Sequence, residues 1–187
     1  MLSDGDTIAR SMADPTMFVS VFDRHVVAVH SYLARRAGQQ AAEDLAGDVW
    51  LAAFNARRRF DATVANALPW LYGIARNVLR SHWRQQGIEP LPQIEAVHDP
   101  WPEVDDRLDA ESRRSALRAA LSRLAPVDRE VLLLNAWEQL TPAEIAVVLN
   151  MPAGTARWRL HTARRTLAGH DGLQPAEQSA AIVCEEH

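Results

Sequence analysis

Between Arg157 and Arg165 the sequence packs four arginines, a tryptophan, a histidine and a threonine into nine residues, and no acid falls from Gly154 to Arg165. At about 100° per residue, Trp158, His161, Thr162 and Arg165 share one side of a helix, flanked by Arg157, Arg159 and Arg164. These groups carry hydrogen bonds and positive charge rather than a nucleophile. Guanidinium groups neutralise phosphate or grip a guanine edge, so such a face suits the major groove of DNA. An ordinary helical hairpin with a solvated basic face has the same composition.

A second set lies upstream. In a helix read from Leu68 to Gln86, Arg76, Asn77, Arg80, Trp83 and Arg84 line one face opposite Leu71, Ile74, Ala75, Val78 and His82. Cations with an interleaved aromatic can hold backbone phosphate and stack an unpaired base. A solvated surface with one tryptophan half-buried by a neighbour would look the same.

Bond-making chemistry finds little support. The chain has no G-x-x-x-x-G-K-[ST], H-E-x-x-H or G-x-S-x-G. Cys184, the single cysteine, has no neighbouring base, and Cys184 with His187 lacks the second pair a metal site needs. His25, His30, His82 and His98 are scattered, with packing or solvent as their default roles. The reading is of a protein that is not an enzyme and needs no cofactor or metal.

Short helical elements must position these sets. Thr141 to Glu144 reads as a T-x-x-E capping box with Pro142 at the first helical position, and Ile145, Val148 and Leu149 give that helix its apolar side. Asn150, Met151 and Pro152 break it. The second helix of this helix-turn-helix carries the stripe Ala156, Leu160, Ala163 and Leu167. Upstream, Pro126 opens a helix with Asp128 and Glu130 in its first turn and Val131, Leu132, Leu134 and Trp137 as its core. Another is expected from about 104–109 to Leu124.

In the amino-terminal half, Asp14 and Pro15 suit a helix start, with the helix running to about Arg36 on Phe18, Val21, Phe22, Val29 and Leu33. After a break at Gly38, a helix from about Ala42 to Arg58 is apolar on two sides. Leu45, Val49, Ala52 and Ala56 form one stripe; Trp50, Leu51 and Phe54 point largely the other way, toward burial in a bundle or toward a partner. Residues 60–67 read as a loop, and residues 1–14 as a polar, mobile arm.

The fold expected is all-α: two small helical domains joined by an acidic, proline-containing linker. The net charge of −4 hides a strong division. Residues 17–87 carry nine arginines against five acids, and residues 113–170 nine against four; between them, residues 88–112 hold one arginine and eight acids. There is no lysine. A lone cysteine excludes an intrachain disulfide and suits a reducing compartment. No stretch approaches a transmembrane helix and the start lacks a signal peptide's order, so a cytoplasmic location without membrane insertion is expected.

Four stretches, in order, resemble the extracytoplasmic-function (ECF) sigma factors of bacterial RNA polymerase, within the sigma-70 superfamily. AEDLAGDVWLAAF (42–54) is similar to the region 2 helix that docks on the polymerase clamp. LPWLYGIARNVLRSHWR (68–84) is similar to the helix that recognises and opens the minus-ten element. ALSRLAPVDREVLLL (120–134) is similar to the start of region 4, and LTPAEIAVVLNMPAGTARWRLHTARRTL (140–167) to its helix-turn-helix. The resemblance implies region 2 over 15–87, a linker over 88–108, region 4 over 109–170 and a tail over 171–187.

It also implies roles. Asp44, Asp48, Trp50, Leu51 and Phe54 would face core RNA polymerase at the clamp of the largest subunit. Arg76, Asn77, Arg80, Trp83 and Arg84 would meet the minus-ten promoter DNA, and the loop from Asp61 to Asn66 would hold an unstacked base. Arg157, Trp158, Arg159, His161, Thr162 and Arg165 would meet the minus-thirty-five duplex. An anti-sigma factor would be a further partner. Gly47, Ser81, Ala156 and Trp158 depart from the family's usual Gln, Asp, Val and small residue, which bears on promoter sequence rather than on class. A free-standing helix-turn-helix regulator is the alternative, although no dimerisation helix is evident; a helical adaptor would leave the face from Arg157 to Arg165 unused.

Overall fold

The computed structural model describes residues 2–87 and 115–168. The linker over 88–108, the tail with Cys184 and His187, and His98 lie outside them. Every regular element among the described residues is helical.

The amino-terminal half is built from α1 (Asp4–Arg10), a short 3-10 turn (Pro15–Phe18), α2 (Val19–Ala37), α3 (Gln39–Ala56) and α4 (Leu68–Gln86). Gly38 alone separates α2 from α3. Its φ of 83° is a conformation that glycine adopts without a Cβ penalty, and the chain reverses there in one residue. Val21, Val29, Tyr32 and Leu33 of α2 meet Ala42, Leu45, Val49 and Ala53 of α3 and Leu71, Tyr72, Ala75 and Leu79 of α4 in one buried cluster. On α4 Leu71 and Ala75 are buried as expected, but Tyr72 and Leu79 complete the core stripe, while Ile74, Val78 and His82 are half-buried.

Residues 2–14 are not a loose arm. Ser3 caps α1 in a reciprocal box with Asp6, Ile8 is buried at 1% exposure, and the buried Asp4 carboxylate binds Arg24 and His25 of α2 and the Ala67 amide. Asp14 then caps the 3-10 turn through the Thr16 amide, as Asp-Pro had indicated.

The carboxy-terminal half comprises a helical segment over residues 115–122 (α5), then α6 (Pro126–Glu138), α7 (Pro142–Leu149) and α8 (Ala153–Ala168). Arg129 is buried and donates to the carbonyls of Leu121, Ser122 and Leu124, so a cation closes the carbonyl end of α5. Gln139 and Asn150, both with positive φ, end α6 and α7.

The two halves pack together. Gly73 of α4 comes so near α7 that a Cβ there would lie 3.5 Å from the Val148 carbonyl oxygen. Glu138, at the end of α6 and 1% exposed, accepts from Arg35 and Arg36 of α2. Arg36 lies 3.7 Å over the Tyr32 ring, so its charge is held by a carboxylate and a π face together. A cavity of about 280 Å³ remains in the seam, lined by Tyr32, Arg76, Trp83, Glu130 and Leu133 among others. No helix among the described residues is long and apolar enough to cross a membrane.

Candidate nucleic-acid interface

The helix-turn-helix forms as its residues specify. The Thr141 hydroxyl accepts from the Glu144 amide while Glu144 accepts from the Thr141 amide at 2.8 Å, closing the capping box. Asn150 takes φ 51°, ψ 56°, the left-handed state expected of a helix-ending Asn. Ala156, Leu160 and Ala163 are buried and Leu167 half-buried, so the stripe fixes the rotation of α8. Among the described residues, nothing covers the opposite face. Arg157, Trp158, His161 and Arg165 are exposed, with Trp158 at 61%, and Thr162 is half-buried.

Arg159 departs from the expected outward face. Its Nη1 donates to Asp128 of α6 at 2.7 Å, and its side chain is only 31% exposed. Among the described residues its Nε is buried without a partner, so this guanidinium is held there by one of its donors. Arg164 reaches Asn135 at 2.6 Å, and Asn135 donates to the Leu140 carbonyl, tying α8 to the approach of α7.

Along α4, Asn77, Arg80 and Arg84 are exposed as expected. Trp83 is half-buried against the core cluster. Arg76 is not on an open face. It forms a bidentate pair with Glu130, Nε to Oε1 at 2.6 Å and Nη2 to Oε2 at 3.1 Å. Burial of its surroundings opposes its charge while the Glu130 carboxylate supports it, and the net pKa is raised. The Asp61 to Asn66 loop presents six exposed residues ahead of α4. The Asp61 carboxylate accepts from the Thr63 amide and hydroxyl, which holds its pKa below the ordinary value, and Asn66 accepts from the Leu68 amide.

On α3, Asp44, Asp48 and Leu51 are exposed. Trp50 and Phe54 do not form an open apolar surface. They are half-buried in an edge-on aromatic group with Phe18 and Phe22, and Arg57 covers the Phe54 ring at 3.7 Å. Among the described residues, Trp50 Nε1 is buried without a partner. Gly47 sits where a side chain would meet nothing, so it leaves no hole.

The residues that periodicity could not reveal are acids. Asp128 and Glu130, two residues apart on α6, hold Arg159 and Arg76 respectively. Their placement in the first turn was legible, but not that each would take an arginine from another element.

Two family profiles match in order. Sigma-70 region 2 matches residues 21–88 and sigma-70 region 4 matches residues 114–167. The chain belongs to the sigma-70 family. It is 33% identical over 103 residues to the RNA polymerase sigma-E factor of Streptomyces coelicolor, a match covering 55% of each chain, so the chain spans about half the length of that relative. It is 26% identical over 157 residues to the ECF sigma factor SigL of Mycobacterium tuberculosis, covering 83% of this chain and 89% of that one. The fold is similar to that of the sigma factor RpoE in complex with the anti-sigma factor NepR from Bartonella quintana, with a TM-score of 0.58 at 20% identity over 80% of this chain and 93% of that one. Region 2 thus spans α2 to α4, and region 4 spans α5 to α8.

Proposed function

We propose that this protein is a promoter-specificity subunit: it binds core RNA polymerase, recognises minus-thirty-five and minus-ten elements, and promotes DNA melting, with no bond chemistry of its own. The observation that carries the reading is the order of the two sigma-70 regions with a basic, acid-free, outward face on the recognition helix α8. Arg157, Trp158, His161 and Arg165 approach the minus-thirty-five duplex, with Thr162 at the margin. Arg159 joins them by exchanging Asp128 for phosphate or a base edge. The Asp61 to Asn66 loop takes an unstacked minus-ten base, and Asn77, Arg80, Trp83 and Arg84 hold the neighbouring strand; Arg76 joins only if it leaves Glu130. Core polymerase takes the exposed side of α3 at Asp44, Asp48 and Leu51, together with the half-buried edges of Trp50 and Phe54.

An anti-sigma factor as regulatory partner is supported by the fold's likeness to a sigma factor solved with one. Action in the cytoplasm follows from the partner proposed. The linker and tail boundaries expected from sequence remain part of this reading. Run-off transcription tests it: purified protein is added to sigma-free core polymerase with a pool of genomic promoters from the source organism. Discrete transcripts requiring both components are expected. No transcripts, no capture of core, and specific DNA binding by the protein alone would replace this reading with that of a free-standing regulator.

A further inference from the structure

Helix α1 meets the Asp61 to Asn66 loop from behind at three points of its backbone, and the Ala67 amide that follows it at a fourth. The Asp4 amide donates to the Ala65 carbonyl at 3.0 Å. The Asp4 carboxylate accepts from the Ala67 amide at 2.8 Å. Gly5 lies so close that a Cβ there would stand 2.1 Å from the Ala62 carbonyl oxygen and 2.7 Å from that of Val64. That separation is below any real contact, and the atoms met are backbone, so a side chain at residue 5 requires the loop or the helix to move.

The anchor of α1 is itself fixed. Asp4 is 4% exposed; its second oxygen takes Arg24, and His25 Nε2 lies 2.7 Å from the oxygen that holds Ala67. Arg24 also donates to the Thr7 hydroxyl at 2.9 Å and to the Leu2 carbonyl. A buried carboxylate with this many donors is held in one place, since each donor left unpaired would cost its desolvation. The loop's side chains, by contrast, are exposed from Asp61 to Asn66. One side of the loop is thus gripped through its backbone, and the other is left open.

We propose that Asp4 and Gly5 are positioning residues for minus-ten specificity: α1 sets the backbone of the Asp61 to Asn66 loop, and through it the shape offered to the unstacked base. The proposal rests on the sigma-factor reading above. It makes a sharp distinction between two effects. Loss of a merely structural helix would lower transcription from every promoter in proportion. Displacement of the loop changes the ratio among minus-ten variants and leaves minus-thirty-five preference alone.

The test uses the full-length chain with core polymerase and one promoter recovered with wild-type protein, randomised singly at each minus-ten and each minus-thirty-five position. Gly5→Ala is the principal variant, because alanine favours the helix and acts only through the close approach. Its discrimination at one minus-ten position should change by roughly tenfold, the order that a single base contact carries, with minus-thirty-five discrimination unchanged. Asp4→Asn is the gentler variant: it keeps an oxygen for the Ala67 amide, loses the charge that holds Arg24, and should move the same ratio by less. In wild-type protein, the Ala67 amide should exchange with solvent far more slowly than an open loop amide.

Asp61→Ala and Asn66→Ala separate the two levels. If they shift minus-ten discrimination while Gly5→Ala and Asp4→Asn keep the wild-type ratios, the positioning role is wrong and the loop reading stands. If the loop variants also keep the wild-type ratios, the loop does not read the base and the proposal falls with it. Fast exchange at Ala67 would overturn the clamp directly, even were Gly5→Ala to fail to fold.

Discussion

Replacing Asp128 by asparagine should weaken the fold and strengthen promoter binding at once. Asp128 holds Arg159 through a single hydrogen bond at 2.7 Å, with side chains 17% and 31% exposed. Water screens a pair of that exposure, so its net worth is about 1 kcal/mol rather than the several that a buried pair carries. Arg159 must give up that amount before it can reach DNA. Asp128→Asn removes the competitor, and about 1 kcal/mol corresponds to roughly fivefold tighter binding of a minus-thirty-five duplex. Asp128 also sits in the first turn of α6, where its charge favours the helix dipole by about 0.3–1 kcal/mol, so unfolding should become easier. The salt dependence should steepen, by up to about 0.9 in log–log slope for the one phosphate newly neutralised without an acid being set free. The assay is fluorescence anisotropy of a labelled promoter fragment with reconstituted holoenzyme at several salt concentrations, beside denaturant unfolding of the free protein. Arg159→Ala in the same background should erase the gain. Affinity equal to or below wild type, with an unchanged slope, would refute the competition between Asp128 and DNA.

Three further outcomes follow from the packing. Glu138→Ala strips Arg35 and Arg36 of a carboxylate that is 1% exposed, and should cost about 3–5 kcal/mol in denaturant unfolding. Burial pushes Tyr32 up to about 12 from an ordinary value of 10.0, and Tyr72 rises for the same reason. The folded state favours neutral phenol, so this contribution to stability is full below about pH 10 and is lost as pH rises through about 12. Tyrosinate absorbance should therefore grow together with the loss of helical circular dichroism; ionisation well before unfolding would contradict it. Gly73→Ala meets only ordinary contacts at 3.5 and 3.8 Å and should raise stability by up to about 1 kcal/mol, whereas Gly73→Leu should drive α4 from α7 and enlarge the radius of gyration measured by small-angle scattering.

What could be read in the sequence depended on whether the partner was local. The helix-turn-helix was legible because Thr141 and Glu144 are three residues apart and Ala156, Leu160 and Ala163 recur at the helical period. Arg76 and Arg159 were assigned to open faces because periodicity gives the side of a helix, not what stands opposite; their acids lie 54 and 31 residues away. Trp50 and Phe54 were read as outward for the same reason, their cover being Phe18 and Phe22 from the preceding elements. Helix α1 escaped because seven residues with one large buried apolar group, Ile8, have no measurable period. Its signal was Ser3 followed three residues later by Asp6, an acidic counterpart of a capping box. The DNA-facing readings of Asn77, Arg80 and Trp158 come from two local patterns, a basic helical face with an interleaved aromatic and the order of the family's stretches.

The buried cluster that runs without interruption from Ile8 to Leu160 joins both regions through Tyr72, Val131, Leu134 and Ile145. A partner that needs the regions apart therefore meets only the separated fraction of molecules, and its apparent dissociation constant is the intrinsic one divided by that fraction. Were separation to cost about 3 kcal/mol, under one molecule in a hundred would be competent at any moment. The seam would then work as a threshold on occupancy, and substitutions at Val131, Leu134 or Ile145 would change how much protein is needed without touching a residue assigned to the promoter.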